Sequence, residues 1–179
     1  MSSKNNKLLL TGFPGCGKTT AVMTILEKLT GLKASGFYTK EIRQDDVRKG
    51  FEWIRLDGPK GILAHIDLKT PLSVGKYRVD VAGFEKDVLS VLDIDAGNAD
   101  LFVIDEIGKM ECLSGGFVDA VRKLFASEKA VLATIARKGG GFIEEVKNYP
   151  NVRVFNLTRN NNEQIIAQIL QILSPSEGT

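Results

Sequence analysis

The sequence predicts an α/β fold, a mostly parallel central sheet that is flanked by helices and carries an antiparallel block at its edge. Three observations predict it. Four short apolar runs have the composition of strands buried on both faces, segments with helical spacing separate them, and residues 36–81 instead alternate apolar with polar side chains. Buried parallel strands are nearly continuous in their apolar residues, and alternation of such strands with helices favours a parallel sheet covered on both sides.

The first elements surround a glycine-rich turn. KLLLT at residues 7–11 predicts a buried strand, and apolar residues at helical spacing in residues 20–29 predict the helix that follows the turn. In residues 36–81, aromatic and β-branched residues alternate with polar ones, and Asp45-Asp46 and Asp57-Gly58-Pro59 punctuate the runs. This block therefore predicts two or three antiparallel strands.

The rest of the chain continues the alternation of helices and apolar strands. Residues 101–105 (LFVID), 130–136 (AVLATIA) and 152–157 predict three more buried strands, residues 84–92, 117–125 and 163–173 predict helices, and the glycines at 139–141 predict a flexible connection. No repeat or linker divides the chain. We expect one domain over residues 1–179, with an antiparallel insertion at about 36–81.

Composition and charge exclude several classes of protein. The 24 basic and 22 acidic side chains leave a formal charge of +2, which gives no electrostatic footprint for nucleic acid or an anionic membrane. Cys16 and Cys112 lack CxxC spacing and there is one histidine, so neither a disulfide framework nor a zinc site is expected. No apolar stretch approaches the ~20 residues of a membrane span, and the polar N-terminus is unlike a signal peptide. We expect a cytoplasmic monomer without membrane or nucleic-acid partners.

A complete phosphate-binding pattern occupies residues 12–19. GFPGCGKT satisfies G-x-x-x-x-G-K-[ST], the Walker A motif, between a predicted strand and a predicted helix. Glycines let backbone N–H groups turn toward phosphates, the helix N-terminus favours the same anion, Lys18 can reach the β- and γ-phosphates and the Thr19 hydroxyl can ligate Mg²⁺. The predicted nucleotide-binding residues are Gly12, Phe13, Pro14, Gly15, Cys16, Gly17, Lys18, Thr19 and Thr20. Cys16 is expected to fill space rather than to react.

Two acidic residues at the end of LFVIDE supply the second part of a nucleotide site. Asp105 comes at the carboxyl end of a strand expected to neighbour the phosphate loop, and it is the candidate for the Mg²⁺ shell, as in a Walker B motif. Glu106 either orients and deprotonates a water that attacks the γ-phosphate or caps the next turn. Lys109 either neutralises charge on the phosphate or forms a surface salt bridge with Glu111.

Other candidates are less specific. Arg137 and Lys138 precede three glycines after a core strand, where a cation can act as an internal arginine finger or simply be solvated. Arg43 and Arg48 on the antiparallel block can face either phosphates or solvent. His65 is expected to be structural. The aromatic residues of the block either stack on a base or pack the core, and these are Phe37, Tyr38, Phe51 and Trp53.

The motifs together resemble a known family. VIDEIGKME, with GFPGCGKTT, GFYTKEIR, RKGF and VGKYRVD, is similar to the thermophilic and cancer-related nucleoside-triphosphatases over about residues 7–173. The resemblance implies a RecA-like variant of the P-loop fold and slow, Mg²⁺-dependent hydrolysis of several nucleoside triphosphates. Gly12, Gly15, Gly17, Lys18 and Thr19 match the family's phosphate loop. Its Mg²⁺-binding and water-handling carboxylates correspond to Asp105 and Glu106.

The chain departs from the family pattern at two places. The family's usual TIP is Thr134-Ile135-Ala136 here, and its Asn-Arg-Asn run is Asn161-Asn162-Glu163. If that arginine contacts the nucleotide in relatives, Asn162 cannot replace its cationic fork, and Arg159 is the cation nearby that can substitute.

The sequence favours a Mg²⁺-dependent nucleoside triphosphatase and leaves two alternatives. One is a nucleoside or polynucleotide 5′-hydroxyl kinase, which uses the same phosphate loop with a hydroxyl as acceptor. The other is a nucleotide-dependent switch whose antiparallel block binds a partner. The sequence has no NKxD-type guanine reader and reveals no base preference, while the family resemblance implies that the substrates include ATP, GTP and other nucleoside triphosphates.

Overall fold

The computed structural model describes residues 6–174, which contain one nine-stranded sheet. The strands are numbered in chain order: β1 Lys7–Thr11, β2 Ala34–Gln44, β3 Val47–Arg55, β4 Lys60–His65, β5 Ser73–Val74, β6 Tyr77–Val79, β7 Leu101–Ile107, β8 Ala130–Ile135 and β9 Val152–Asn156. In the sheet they follow the order β5-β6-β4-β3-β2-β7-β8-β1-β9.

Five α-helices cover the sheet. They are α1 Lys18–Lys28, α2 Val81–Val88, α3 Gly115–Ala126, α4 Phe142–Lys147 and α5 Asn162–Leu173, and 3-10 turns occur at Leu89–Leu92 and Glu111–Leu113. Within residues 6–174, none of these helices has the length and apolar character needed to cross a bilayer.

Strands β1, β7 and β8 of the parallel half are buried on both faces, whereas the edge strand β9 is largely exposed, so the prediction of a buried strand at residues 152–157 is wrong in its burial. Strands β2, β7, β8, β1 and β9 pair in parallel in that order. Along β1, Leu8 and Leu10 pack against α1 and α5, whereas Leu9 faces the opposite layer that contains α2 and α3. Because successive side chains of a strand point to opposite faces, a strand with helices on both sides needs an unbroken apolar run. The predicted fold class is confirmed.

The antiparallel block is continuous with this sheet. β3, β4, β6 and β5 extend it beyond β2 through antiparallel pairs. The sequence places the start of the block at residue 36, but β2 begins at Ala34 and its first residues pair in parallel with β7. β2 is therefore a strand of the parallel half and the first strand of the block. Its opening residues ASGF lack the apolar run by which the other parallel strands were recognised.

The short helix α4 was absent from the prediction. It has six residues, of which Ile143 and Val146 are buried. Fewer than two turns give too few apolar positions for a helical period to stand out, and the three preceding glycines predict only a loop.

Gly36 determines how closely β2 approaches β7. Its φ is 140°, and a Cβ at this position would overlap the carbonyl oxygen of Val103, whereas a Cβ at Gly58, with φ 118°, would meet open space. Gly58→Ala therefore isolates the backbone strain, about 1–2 kcal/mol. We expect Gly36→Ala to lower the free energy of unfolding by about 1–3 kcal/mol more than Gly58→Ala, because β2 must also shift. Urea titration of both variants tests this, and equal losses would contradict it.

Candidate active site

The phosphate loop connects the buried end of β1 to the N-terminus of α1. Gly15 and Gly17 have φ of 75° and 98°, left-handed values that glycine adopts without strain. Gly17 precedes α1, and no side chain of the described residues caps that helix. The first N–H groups of α1 are thus available to an anion, and the helix dipole favours negative charge at the same point.

Lys18 and Thr19, the first residues of α1, make different contacts. Lys18 Nζ donates to the carbonyl oxygens of Gly12 and Phe13, at 3.2 and 3.3 Å, so the ammonium group lies over the loop. The Thr19 hydroxyl donates to Asp105 Oδ2 at 2.8 Å. This second bond joins the phosphate loop to the carboxylates that the sequence places 86 positions away.

The Asp105 carboxylate is buried, 1% exposed, at the end of β7. Besides the Thr19 bond, it accepts hydrogen bonds from Thr134 Oγ1 at 2.6 Å and from the backbone N–H of Thr39 at 3.3 Å. Burial raises the pKa of Asp105 above its ordinary value, while these three hydrogen bonds and the charge of Lys18 act in the opposite direction. These three donors converge on one carboxylate.

The expectation that Asp105 lies on a strand neighbouring β1 is wrong. In the sheet, β8 lies between β1 and β7, so β7 is one position further away. Thr134 on β8 fills the intervening space and bonds to Asp105. The motif sequences specify each strand end but not the order of the strands, which depends on packing across the whole sheet.

Two glutamates flank Gly108, just beyond β7. A Cβ on Gly108 would lie 2.9 Å from Glu111 Oε2 and 3.1 Å from Glu106 Oε1, which places both carboxyl groups around this glycine. Burial and the charge of Asp105 raise the pKa of Glu106, and Lys18 opposes the shift. Burial and the charge of Glu106 raise the pKa of Glu111 well above its ordinary value. Since Glu111 is only 5% exposed, the alternative interpretation of a surface salt bridge between Lys109 and Glu111 is wrong.

A cleft of about 660 Å³ runs along the carboxyl edge of the sheet over these groups. The predicted site residues that line it are Pro14, Gly15, Gly17, Lys18, Thr19, Thr20, Asp105, Glu106 and Lys109. Three others do not: Gly12 is buried against Leu157, Cys16 is packed in the core, and Phe13 is 61% exposed. Lys109 is exposed on the cleft wall.

The remaining candidate cations are distributed around the cleft. The Arg137 guanidinium lies 3.8 Å from the centroid of the Phe13 ring, whereas the exposed Lys138 lines the cleft itself. Arg159 is exposed and is not part of the lining. Asn162 Nδ2 would lie 3.2 Å from a Cβ on Gly17, so the residue that replaces the family's arginine is beside the phosphate loop.

His65 lies outside the cleft. Its Nδ1 accepts a hydrogen bond from the Asp67 N–H at 3.2 Å, in the turn that follows β4. Trp53 and Phe37 belong to the core, as one of the two interpretations of the block's aromatic residues proposes, but Phe51 lines the cleft.

Sequence reasoning missed two contributors to the site, Thr134 and Thr39, and left the roles of Arg48 and Phe51 open. Thr134 could have been found as a hydroxyl residue near the carboxyl end of a predicted core strand. Thr39 acts through its backbone N–H, which leaves no sequence signal. Arg48 and Phe51 line the cleft from β3, because an antiparallel strand that follows β2 begins at the same edge where β2 ends.

The family is decided by a match along nearly the whole chain. The family described as NTPase matches residues 7–170. The chain belongs to this NTPase family. Its membership confirms the resemblance seen in the motifs at the phosphate loop and after β7, and it agrees with the strand-loop-helix geometry on which Lys18 and Thr19 are presented.

Relatives of this NTPase family match over the same span. The chain is 44% identical to nucleoside-triphosphatase THEP1 of Thermotoga sp. (strain RQ2), covering 96% of the chain and 98% of the relative. It is 38% identical to the human cancer-related nucleoside-triphosphatase, covering 94% and 97%. The crystal structure of THEP1 from Aquifex aeolicus superimposes with a TM-score of 0.85 at 34% identity, covering 94% of the chain and 99% of that structure.

Glu111 predicts a dependence of stability on pH. Its pKa is raised in the folded protein, so the folded state holds the carboxyl proton more tightly than the unfolded state. The free energy of unfolding therefore falls as the pH rises from the ordinary glutamate pKa through the raised pKa. We expect Glu111→Gln, which keeps an acceptor oxygen, to flatten this fall. Glu27→Gln, an exposed change on α1, should keep it. Urea unfolding between pH 4 and pH 9 measures the effect, and parallel profiles for all three proteins would contradict it.

Proposed function

We propose that the chain is a Mg²⁺-dependent nucleoside triphosphatase that releases the terminal phosphate of ATP, GTP and other nucleoside triphosphates. Membership of the NTPase family supports hydrolysis of nucleoside triphosphates. The observation that carries the proposal is the 2.8 Å bond from Thr19 to Asp105, which brings the phosphate loop and the carboxylate pair into one site. That the protein acts as a cytoplasmic monomer stays a prediction from its composition.

The loop binds the triphosphate and orients its terminal phosphate. Backbone N–H groups of residues 15–19 and the N-terminus of α1 surround the phosphates. Lys18 now donates to two loop carbonyls and can exchange these for phosphate oxygens, which are stronger acceptors for an ammonium group. The loop therefore holds the leaving group, the nucleoside diphosphate, on its own side of the γ-phosphorus.

Thr19 and Asp105 fit a Mg²⁺ ion. Hard oxygen ligands suit this ion, which at triphosphate sites usually has one or two protein ligands and takes the others from phosphates and water. Across residues 6–174 no three His, Cys, Asp or Glu side chains are grouped so that they could hold a metal by themselves, as expected for a site that the substrate completes. When bound, Mg²⁺ neutralises charge on the β- and γ-phosphates.

Three features support Glu106 as the residue that handles the attacking water. It follows Asp105 directly, lines the cleft, and has its pKa raised by burial and by the Asp105 charge. A carboxylate with a raised pKa is a better proton acceptor near neutral pH than an ordinary glutamate. We assign its carboxylate to orient the water and accept its proton. Lys109, exposed on the same wall, is the proposed cation for charge that develops on the phosphate.

Turnover should depend on Glu106 and Lys18 in different ways. Glu106→Gln should lower phosphate release by about 100-fold or more, the effect of losing a transition-state contact, while nucleotide affinity is kept. Lys18→Ala should lower release by a similar factor and also weaken binding. Steady-state phosphate release and fluorescent-nucleotide titration measure both quantities across the common nucleoside triphosphates. Glu27→Gln and Lys28→Ala on α1 are the matched controls, and near-normal turnover of Glu106→Gln would exclude Glu106 as the water-handling residue.

The dependence of phosphate release on Mg²⁺ concentration should test the role of Asp105 in metal binding. Phosphate release should stop without Mg²⁺, and Asp105→Asn should raise the Mg²⁺ concentration required for half-maximal release by about 10–100-fold, the usual effect of altering a metal's ligand shell. Asp119→Asn, at an exposed position of α3, should leave the Mg²⁺ curve unchanged. If the Mg²⁺ curve of Asp105→Asn is unchanged, Asp105 does not take part in binding the metal.

A further inference from the structure

The cleft continues past the carboxylates onto the antiparallel block. The N–H of Thr39 donates to Asp105, and Glu41 follows two residues later on the same strand, about 7 Å further along. This distal half is lined by Glu41, Arg48, Phe51, Val74 and Met110. The residues proposed for hydrolysis make no use of it.

The distal half lies on the side from which a nucleophile must come. In the sheet, the phosphate loop follows β1, whereas β2 and β3 lie beyond β7 in the opposite direction. Phosphoryl transfer places the attacking and leaving oxygens in line across the γ-phosphorus. With the β-phosphate held by the loop and the γ-phosphate at Glu106, the attacking oxygen enters from the antiparallel block.

Arg48 is fixed on the wall of this distal half. Its Nε donates to Tyr77 Oη at 2.9 Å and its Nη1 to Glu41 Oε1 at 3.0 Å. The guanidinium carbon also lies 5.1 and 5.6 Å from the ring centroids of Phe51 and Tyr77. Yet 43% of the side chain is exposed. A guanidinium that is held in place and still accessible loses little entropy when it binds an anion.

Of the residues named on this wall of the cleft, Arg48 is positive and Glu41 is negative. Glu41 pairs with both Arg43 and Arg48, so two guanidinium groups share one carboxylate. Lys76 and Arg43 carry positive charge nearby but outside the cleft lining, Lys76 at 5.4 Å from the Tyr77 ring centroid. Phe51, Val74 and Met110 provide apolar surface next to this charge. A few fixed polar groups beside apolar walls are typical of a small-molecule site.

We propose that the distal half is an acceptor site for an organic phosphate with a free hydroxyl group, whose phosphate binds Arg48 and whose hydroxyl faces Glu106. A nucleoside 3′-phosphate has this form, with a phosphate at one end, a 5′-hydroxyl at the other and a base that can contact the apolar wall. The inference rests on the proposed function, because the nucleoside triphosphate on the loop is the phosphoryl donor.

The transfer balances without a further reactant. The acceptor hydroxyl oxygen forms a bond to the γ-phosphorus as the bond from that phosphorus to the β,γ-bridging oxygen breaks. The electron pair leaves with the nucleoside diphosphate, and the hydroxyl proton passes to the Glu106 carboxylate. The products are a nucleoside diphosphate and the phosphorylated acceptor.

The test uses γ-labelled ATP, Mg²⁺ and pairs of acceptors, each a nucleoside 3′-monophosphate and the same nucleoside without phosphate. Wild type should label the 3′-monophosphate with an apparent affinity at least about 10-fold above that of the nucleoside, the effect of one charge-assisted contact. Arg48→Gln should abolish this preference and leave labelling of the unphosphorylated nucleoside unchanged. Arg43→Gln, which removes the other partner of Glu41 but does not line the cleft, should keep it.

The remaining outcomes separate the proposals. Label found only in inorganic phosphate with every acceptor would overturn the acceptor site and leave the hydrolase intact, whereas absence of ATP turnover would overturn the proposed function. Inhibition by the 3′-monophosphate that is competitive with ATP would place its phosphate on the loop and also overturn the inference. If Arg48→Gln unfolds, Val74→Asp replaces it, because a carboxylate on the same wall should repel the 3′-monophosphate more than the nucleoside.

Discussion

The structure depends on one buried carboxylate. Asp105 accepts hydrogen bonds from α1, β8 and β2 through Thr19, Thr134 and Thr39, so the phosphate loop and the strands β7, β8 and β2 are held at one point. A buried charge without such partners is strongly destabilising. The same donors that stabilise it in the fold fix the distance between the loop and the catalytic edge, and stability and site geometry therefore have a common origin.

Negative charge accumulates around that point. Asp105, Glu106 and Glu111 follow within seven residues, and burial and the charges of neighbouring acids raise the pKa of the two glutamates. Carboxylates confined together are unfavourable for folding, and clusters with such shifts are concentrated at functional sites. Among the groups that shift the pKa values of Asp105 and Glu106, Lys18 is the only one with a positive charge. A bound cation with phosphates fits this arrangement.

The second structural constraint is the position of β2 between the parallel strands and the antiparallel block. Its first residues extend the parallel sheet, whereas its later residues pair with β3 and carry the sheet past the end of β7. The close approach at Gly36 makes this possible. As a result, a side chain from β3 reaches the carboxyl edge of the parallel strands, and the cleft has two halves, one formed by the phosphate loop and one by the antiparallel block.

The sequence by itself determined the elements that depend on interactions between residues close together in the chain. The phosphate loop, its flanking strand and helix, and the pair Asp105-Glu106 were predictable because the glycine spacing and the apolar runs act within a few residues of chain. The tertiary structure alone decided that β8 separates β1 from β7, that Thr134 bonds to Asp105, that Glu111 is buried and that Arg48 lines the cleft. These depend on strand order and on packing between distant segments, which no local pattern specifies.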